Sequence, residues 1–199
     1  TETLVVADET ATPALVAADL LAQAEHDPLA TALLITPSLD LARAVEAEVG
    51  RCLPSLARAE IVRQSLAGQG AILVVPGLDE ALALADEYAP EHLCLAVADP
   101  WSLVGRVRNA GGIFLGEGSS EALGDYVAGP SHVMPTRGTA RFASPLHVRD
   151  FMKVTSILAV AGPSARRLAA PAMEVARAEG LPAPAGALSL VHLRRSRRT

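Results

Sequence analysis

Short runs of aliphatic and β-branched residues recur along this chain, each followed by a longer stretch in which apolar residues return every three or four positions. This alternation constrains the fold more than any other feature. A strand buried on both faces reads as a continuous apolar run, and a helix lying on a sheet shows an apolar stripe of period 3.6. Regular alternation of the two therefore calls for strands joined by crossover helices. "TLVVAD" (3–8) precedes "TPALVAADLLAQAEH" (12–26), whose Thr-Pro opening suits a helix start. "TALLITP" (31–37) precedes the amphipathic "LDLARAVEAEV", with Ser38 placed to cap it. "AILVVPG" (71–77) precedes "LDEALALADEYAPEHL" (78–93), where Pro90 disfavours helix at Ala89 and ends it near there. "LCLAVADP" (93–100) with "WSLVGRVRNAG", then "GIFLG" (112–116), complete the series. The expectation is an α/β fold, a mostly parallel sheet with helices on both faces.

After Gly116 the alternation stops, and a loop of about thirty residues is expected to reach "LHVRDFMKVTSILAVAG", read as a short helix and an apolar segment. Loops of that length are uncommon in compact domains unless they carry function. "PSARRLAAPAMEVARAEGL" (163–181) predicts a helix with Pro163 at its start, Gly180 at its stop and Pro171 as an interior break or kink. The expected division is an α/β domain over 1–144 and a small helical tail domain over 145–199.

A chain of 199 residues buries a sizeable core without disulfide staples. Hydrophobic residues make up 50% but aromatics only 3%, so Ala, Val and Leu must fill the interior, as close helix–strand packing requires. The net charge of -5 argues against a nucleic-acid partner. The basic ending "HLRRSRRT" (192–199) reads as a solvated terminus. Cys52 and Cys94 lie in no C-x-x-C and are expected to be free thiols in a reducing cytoplasm. No run reaches the ~18 apolar residues of a membrane span, and "TETLVVADET" lacks a signal peptide's basic start. A strand almost at Thr1 suggests a chain cut from something longer.

Motifs narrow the chemistry. "GQGAIL" and "GEGSSE" lack the third glycine of G-x-G-x-x-G, placing Leu73 and Glu121 there, and no GK[ST] occurs. Nor is G-x-S-x-G satisfied at Ser119 or Ser120. Gln23 and His26, three apart on the predicted helix, share a face and can converge on a metal, although the spacing equally suits polar surface near a helix end. Asp125, among the turn-formers of "GDYVAGPSHVMPTRG", offers an oxygen ligand or a turn cap. In "YAPEHLCL", Glu91 and His92 directly follow a proline break at a strand mouth. They give two proton-transfer groups of different pKa at one place, or simply a polar loop.

Together, "DLLAQAEH", "YAPEHL", "NAGGIFLG", "GDYVAGPSHVMPT" and "ARAEGL" resemble, in order and spacing, the C-terminal half of histidinol dehydrogenases. Thr1 and Glu2 match the end of that family's G-P-[ST]-E segment. The resemblance implies an incomplete Rossmann-like fold and a zinc-dependent, two-step oxidation of L-histidinol to L-histidine through the aldehyde. Two NAD molecules are used in succession, in the last step of histidine biosynthesis in the cytoplasm. By position it implies zinc ligands at Gln23, His26 and Asp125 and the acid/base pair at Glu91 and His92. Substrate contacts are implied at Thr1, Gln23, His26, His92, Asp125, His132 and Glu179. It also implies a homodimer whose tail domain reaches the partner's site. NAD-binding residues are expected in the missing half, so this segment alone should not turn over.

Two positions depart from the pattern. The family's zinc-ligating His in A-E-G-L-x-A-H is Pro184 here, with His192 eight residues on and out of register, and the Asn before the loop His is Ser131. The alternative expectation is a catalytically impaired relative that serves as a binding or interaction module. His147 matches no family site and is expected to be a structural or surface histidine.

Overall fold

The computed structural model describes residues 1–193; the arginine-rich run that follows lies outside them. Five strands, β1 (Glu2–Ala7), β2 (Thr31–Thr36), β3 (Gly70–Val74), β4 (His92–Ala96) and β5 (Gly112–Leu115), form one sheet in the order β3-β2-β1-β4-β5. Every pairing is parallel. The chain winds outward from β1 to β3 and then returns to β1's other side for β4 and β5, so the winding reverses between β1 and β4. In that central pair Thr3 stands opposite His92 and Val5 opposite Cys94.

Alternate β1 residues feed separate cores. Val5 and Ala7 join Ala32, Leu34 and Cys94 beneath α1 (Pro13–Ala24), α2 (Leu39–Cys52) and α3 (Ala59–Gln69). Leu4 and Val6 join Ile35, Leu93 and Leu95 beneath α4 (Leu78–Tyr88) and α5 (Pro100–Val104). Each fully buried aliphatic side chain contributes about 1.5–3 kcal/mol, so these central strands are the stiffest part of the fold. The edge strand β3 is less covered: Ile72, Leu73 and Val74 remain exposed.

Local chemistry sets the helix ends. Pro13 occupies the first turn of α1, and the Ser38 hydroxyl accepts from Leu41 N–H at 3.2 Å to start α2. Before Pro90, α4 stops at Tyr88, with buried Ala89 in the left-handed region at φ 55°. α3 lies in a stretch that carried no element in the sequence reading. Its burial rests on Val62 and Ser65, whose hydroxyl donates to Ala30 C=O at 2.8 Å.

The segment after Gly116 corrects the expectation of an unbroken loop, because Glu121–Tyr126 forms a short helix, α6. Its sequence, with Gly124 inside, is a poor autonomous helix, and tertiary contacts hold it. The Val148–Phe151 stretch is a single 3₁₀ turn.

The chain forms two compact units, Thr1–Phe151 and Met152–Thr199. Within the second, residues 152–161 lack regular structure and expose Val154, Ile157 and Leu158. α7 (Gly162–Ala178) runs as one helix across Pro171. It ends in a Schellman pattern: Gly180, at φ 70°, donates to Arg177 C=O, and Leu181 donates to Ala176 C=O. α8 (Pro182–Leu193) follows directly, so Pro184 falls in a helix's first turn, where a missing N–H costs little. No helix among the described residues is long and apolar enough to cross a membrane.

Candidate functional site

The site lies at the amino ends of β1 and β4. Glu91 and His92 open β4 after the Pro90 break, Thr1 precedes β1, and the carboxyl end of α1 brings Gln23 and His26 to the same edge. Helix α1 ends at Ala24, so His26 belongs to the following turn rather than to the helix. It still faces the same way as Gln23, because Glu25 keeps right-handed helical angles and His26 N–H donates to Gln23 C=O.

Glycines bring the last segment in. A Cβ on Gly111 would stand 2.6 Å from Glu91 O, and one on Gly112 would stand 2.8 Å from Met134 Sδ. At Gly111 the obstacle is backbone, so a bare glycine there lets the Met134–Pro135 stretch close over the start of β4, whereas at Gly112 it is the mobile end of Met134. Arg137 N–H then donates to Glu2 Oε1 at 2.8 Å, tying this loop to β1. Together the elements enclose a cavity of about 470 Å³, whose walls include Thr1, Gln23, His26, Glu91, His92, Asp125 and His132. Glu179 belongs to the second unit, where it caps α7 and is exposed.

His92 is 3% exposed, with its ring tilted against Phe114 at a centroid distance of 5.7 Å. Its Nδ1 lies 3.0 Å from Glu2 C=O. A carbonyl only accepts, so Nδ1 carries a proton, and in the neutral form of the ring the lone pair is on Nε2. That nitrogen lies 3.6 Å from Asp125 Oδ1. Glu91 is buried, and its Oε2 accepts from Glu2 N–H at 3.1 Å.

Arg58 and Glu121 are among the wall residues that the sequence did not single out as site residues. Arg58 leads into α3. Glu121, 8% exposed, accepts from the Thr3 hydroxyl at 2.6 Å and from Cys94 Sγ at 3.2 Å. Burial pushes its carboxyl above the usual range, opposed by His92's charge and by the Thr3 and Cys94 hydrogen bonds. Burial also raises the Cys94 thiol well above its ordinary value, and the Glu121 charge adds to that. The signal for Glu121 in sequence would have been an acid four residues before Asp125, which shares its face only if that stretch is helical. Both cysteines are free thiols, Cys94 buried and Cys52 half-buried. His147 is paired locally with Asp150, and His192 Nδ1 lies 3.2 Å from Arg166 C=O.

Metal and dinucleotide give different answers. Gln23 Nε2, His92 Nε2 and Asp125 Oδ1 are buried polar atoms without a hydrogen-bond partner among the described residues. Such groups are costly unless something binds them: Asp125 Oδ1 can take a cation, whereas the Gln23 NH2 only donates, so Gln23 would ligate through Oε1. Gln23, His26 and Asp125 form a mixed N/O donor set on one cavity, which fits zinc with ligand positions left open. No group of three or more His, Cys, Asp and Glu suited to a metal occurs among the described residues, and this set reaches three only by counting glutamine.

The usual dinucleotide position of such a sheet is already filled. In doubly wound sheets a dinucleotide binds beyond the carboxyl ends of the strands, where the winding reverses. Here Asp8 fills that place: its carboxylate accepts from Thr10 N–H at 3.0 Å, from the Thr10 hydroxyl at 2.5 Å and from Ala98 N–H at 2.9 Å. Burial works against its charge, but these bonds outweigh it and hold the carboxyl below its usual value. The amides that would cradle a pyrophosphate already serve a fixed anion.

Sheet and cavity thus define an α/β protein of the doubly wound class that keeps its acid–base groups at the amino edge of the sheet. Comparison with known proteins places it further. A sequence model of histidinol dehydrogenase matches residues 1–191. The histidinol dehydrogenase of Moorella thermoacetica is 58% identical over 189 residues, 95% of this chain and 45% of that protein. That of Thermus thermophilus is 54% identical over 190 residues, 96% and 46%. The crystal structure of histidinol dehydrogenase from Elizabethkingia anophelis superposes with a TM-score of 0.88 at 34% identity, over 96% of this chain and 44% of that one. The chain belongs to the histidinol dehydrogenase family and spans somewhat under half the length of these relatives.

Proposed function

We propose that this chain carries the acid–base and metal-ligating part of a histidinol dehydrogenase, which oxidises L-histidinol to L-histidine through the aldehyde. The observation that carries the reading is His92: its proton is fixed on Nδ1 by Glu2 C=O, and its free Nε2 faces a cavity shared with Glu91, Gln23, His26 and Asp125. His92 Nε2 takes the hydroxyl proton as the carbinol carbon is oxidised, and takes a second proton from the aldehyde hydrate. Glu91, beside it in sequence and on the same cavity, activates the water that forms the hydrate. Thr1 and His132 position the substrate from opposite ends of the chain's first unit. Held by Gln23, His26 and Asp125, zinc would supply Lewis-acid charge that orients the substrate's amine and imidazole. NAD, the hydride acceptor in this reading, does not take the switch point at the strands' carboxyl ends, where Asp8 holds the amides.

In this reading the assembled protein is a homodimer, and the exposed Val154, Ile157 and Leu158 are apolar residues that association would cover. In that assembly Glu179 serves the partner's site, and a biosynthetic role places the enzyme in the cytoplasm. Pro184 favours the second reading, a catalytically impaired relative, because proline cannot ligate a metal.

Two experiments test this. The chain mixed with histidinol and NAD should give no sustained NADH absorbance, and sustained turnover sinks the claim that it is incomplete as a catalyst. Zinc titration by calorimetry should show tighter binding in Pro184→His than in the native chain. Equal affinity would mean that position 184 is not a ligand site.

A further inference from the structure

The acid that lines the cavity beside His92 has no part in the mechanism above, and it is an expensive residue to bury. Glu121 opens α6, and Asp125, four residues on, lies one helical turn along the same face. Six residues are too few for a helix to hold itself together, so α6 stands only where tertiary contacts put it. Apolar burial supplies little of that, because Leu123, Tyr126 and Val127 are exposed. Gly124 lies against the Phe114 ring, and polar contacts with α1 and the sheet supply the rest. Ser120 Oγ donates to Asp19 Oδ1 at 3.1 Å, and the Glu121 carboxylate accepts from Thr3 Oγ1 and Cys94 Sγ on the two central strands. Thr3 is the register partner of His92, so the anchor is set on the same rung as the base that Asp125 must face.

We propose that Glu121 is the positioning residue of this site: by docking the first turn of α6 onto Thr3 and Cys94, it sets the Asp125 carboxylate over His92 Nε2. Glu121 itself touches no reacting atom. A leucine would fill its place at less cost in desolvation, but could not accept the Thr3 proton that fixes the helix in register with the sheet. The placement of Asp125 rests on the structure alone, whereas its consequence for zinc rests on the functional reading above.

The test uses Glu121→Ala, Glu121→Gln and Thr3→Val in the full chain. Hydrogen exchange of α6 amides should quicken about tenfold in Glu121→Ala and Thr3→Val, the change that losing one charge-assisted hydrogen bond brings, with β1 and β4 unchanged. Glu121→Gln should hold the helix, because its amide oxygen still accepts from Thr3. A crystal structure of Glu121→Ala with α6 undisplaced and Asp125 still beside His92 overturns the proposal. Calorimetry with zinc alone supplies the second readout. Glu121→Ala should weaken binding about tenfold in the native background and not at all when Asp125→Asn is already present. Equal losses in both backgrounds would show that Glu121 does not act through Asp125. A native chain that takes up no zinc refutes the metal assignment, and the exchange and crystallographic results then decide the positioning role.

Discussion

Gly111 and Gly112 look alike in sequence, but the structure gives them opposite prospects. At both, a substitution to alanine limits the unfolded chain and so stabilises by about 0.4–1 kcal/mol where the native backbone tolerates it. Neither has a positive φ, so sterics decide. The new Cβ at position 111 would meet Glu91 O at 2.6 Å, with Pro135 Cδ at 3.1 Å and Met134 Cβ at 3.2 Å behind it. Backbone oxygen and a proline ring cannot rotate away, so the start of β4 must shift, at about 1–3 kcal/mol for an overpacked site. The net loss for Gly111→Ala is then about 1–2 kcal/mol, or roughly 2–8 °C in melting temperature for a chain of this size. At position 112 the nearest atoms are Met134 Sδ at 2.8 Å and Cε at 2.9 Å, the far end of a flexible side chain. Gly112→Ala should therefore melt within about 2 °C of the native chain. Thermal melts followed by circular dichroism compare the two directly. Equal melting temperatures, or a larger loss at 112, would refute the argument that the Glu91 backbone is the immovable wall.

The remaining expectations concern charge and backbone. Because burial raises the Glu121 carboxyl, the folded chain keeps a proton there that the unfolded chain has released. Stability should therefore fall as pH rises from the usual carboxylate range through the raised value. Glu121→Gln should flatten that fall, with Asp19, also raised by burial, leaving a residue of it; an unchanged slope in denaturant melts across pH contradicts the assignment. At the end of α7, Gly180→Ala places a Cβ at φ 70° and should cost about 1 kcal/mol in the same melts, and no loss would mean that the Schellman turn is not held.

The sequence determined the layers. Continuous apolar runs such as "TALLIT", short and bounded by turn residues, read as strands, and Thr-Pro, Ser38, Pro90 and Gly180 act through local stereochemistry, so strands, helix ends and the α/β class were legible residue by residue, whereas the exposure of the "AILVV" strand at the sheet edge was not. The cavity set was partly legible too, because Gln23 with His26 and Glu91 with His92 are neighbours along the chain. What sequence could not decide is whatever depends on partners far away in it. α6 has weak propensity of its own and exists because Glu121 meets Thr3 across a long separation, while the burial of α3 rests on Ser65 meeting Ala30. The tautomer of His92 depends on Glu2, 90 positions earlier. Winding the sheet outward from β1 in both directions brought the amino ends of β1 and β4 side by side, and only that placed Thr1, Glu91 and Asp125 around one cavity. Local stereochemistry travels with the residues themselves, whereas an encounter across the sheet exists only once the chain has closed on itself.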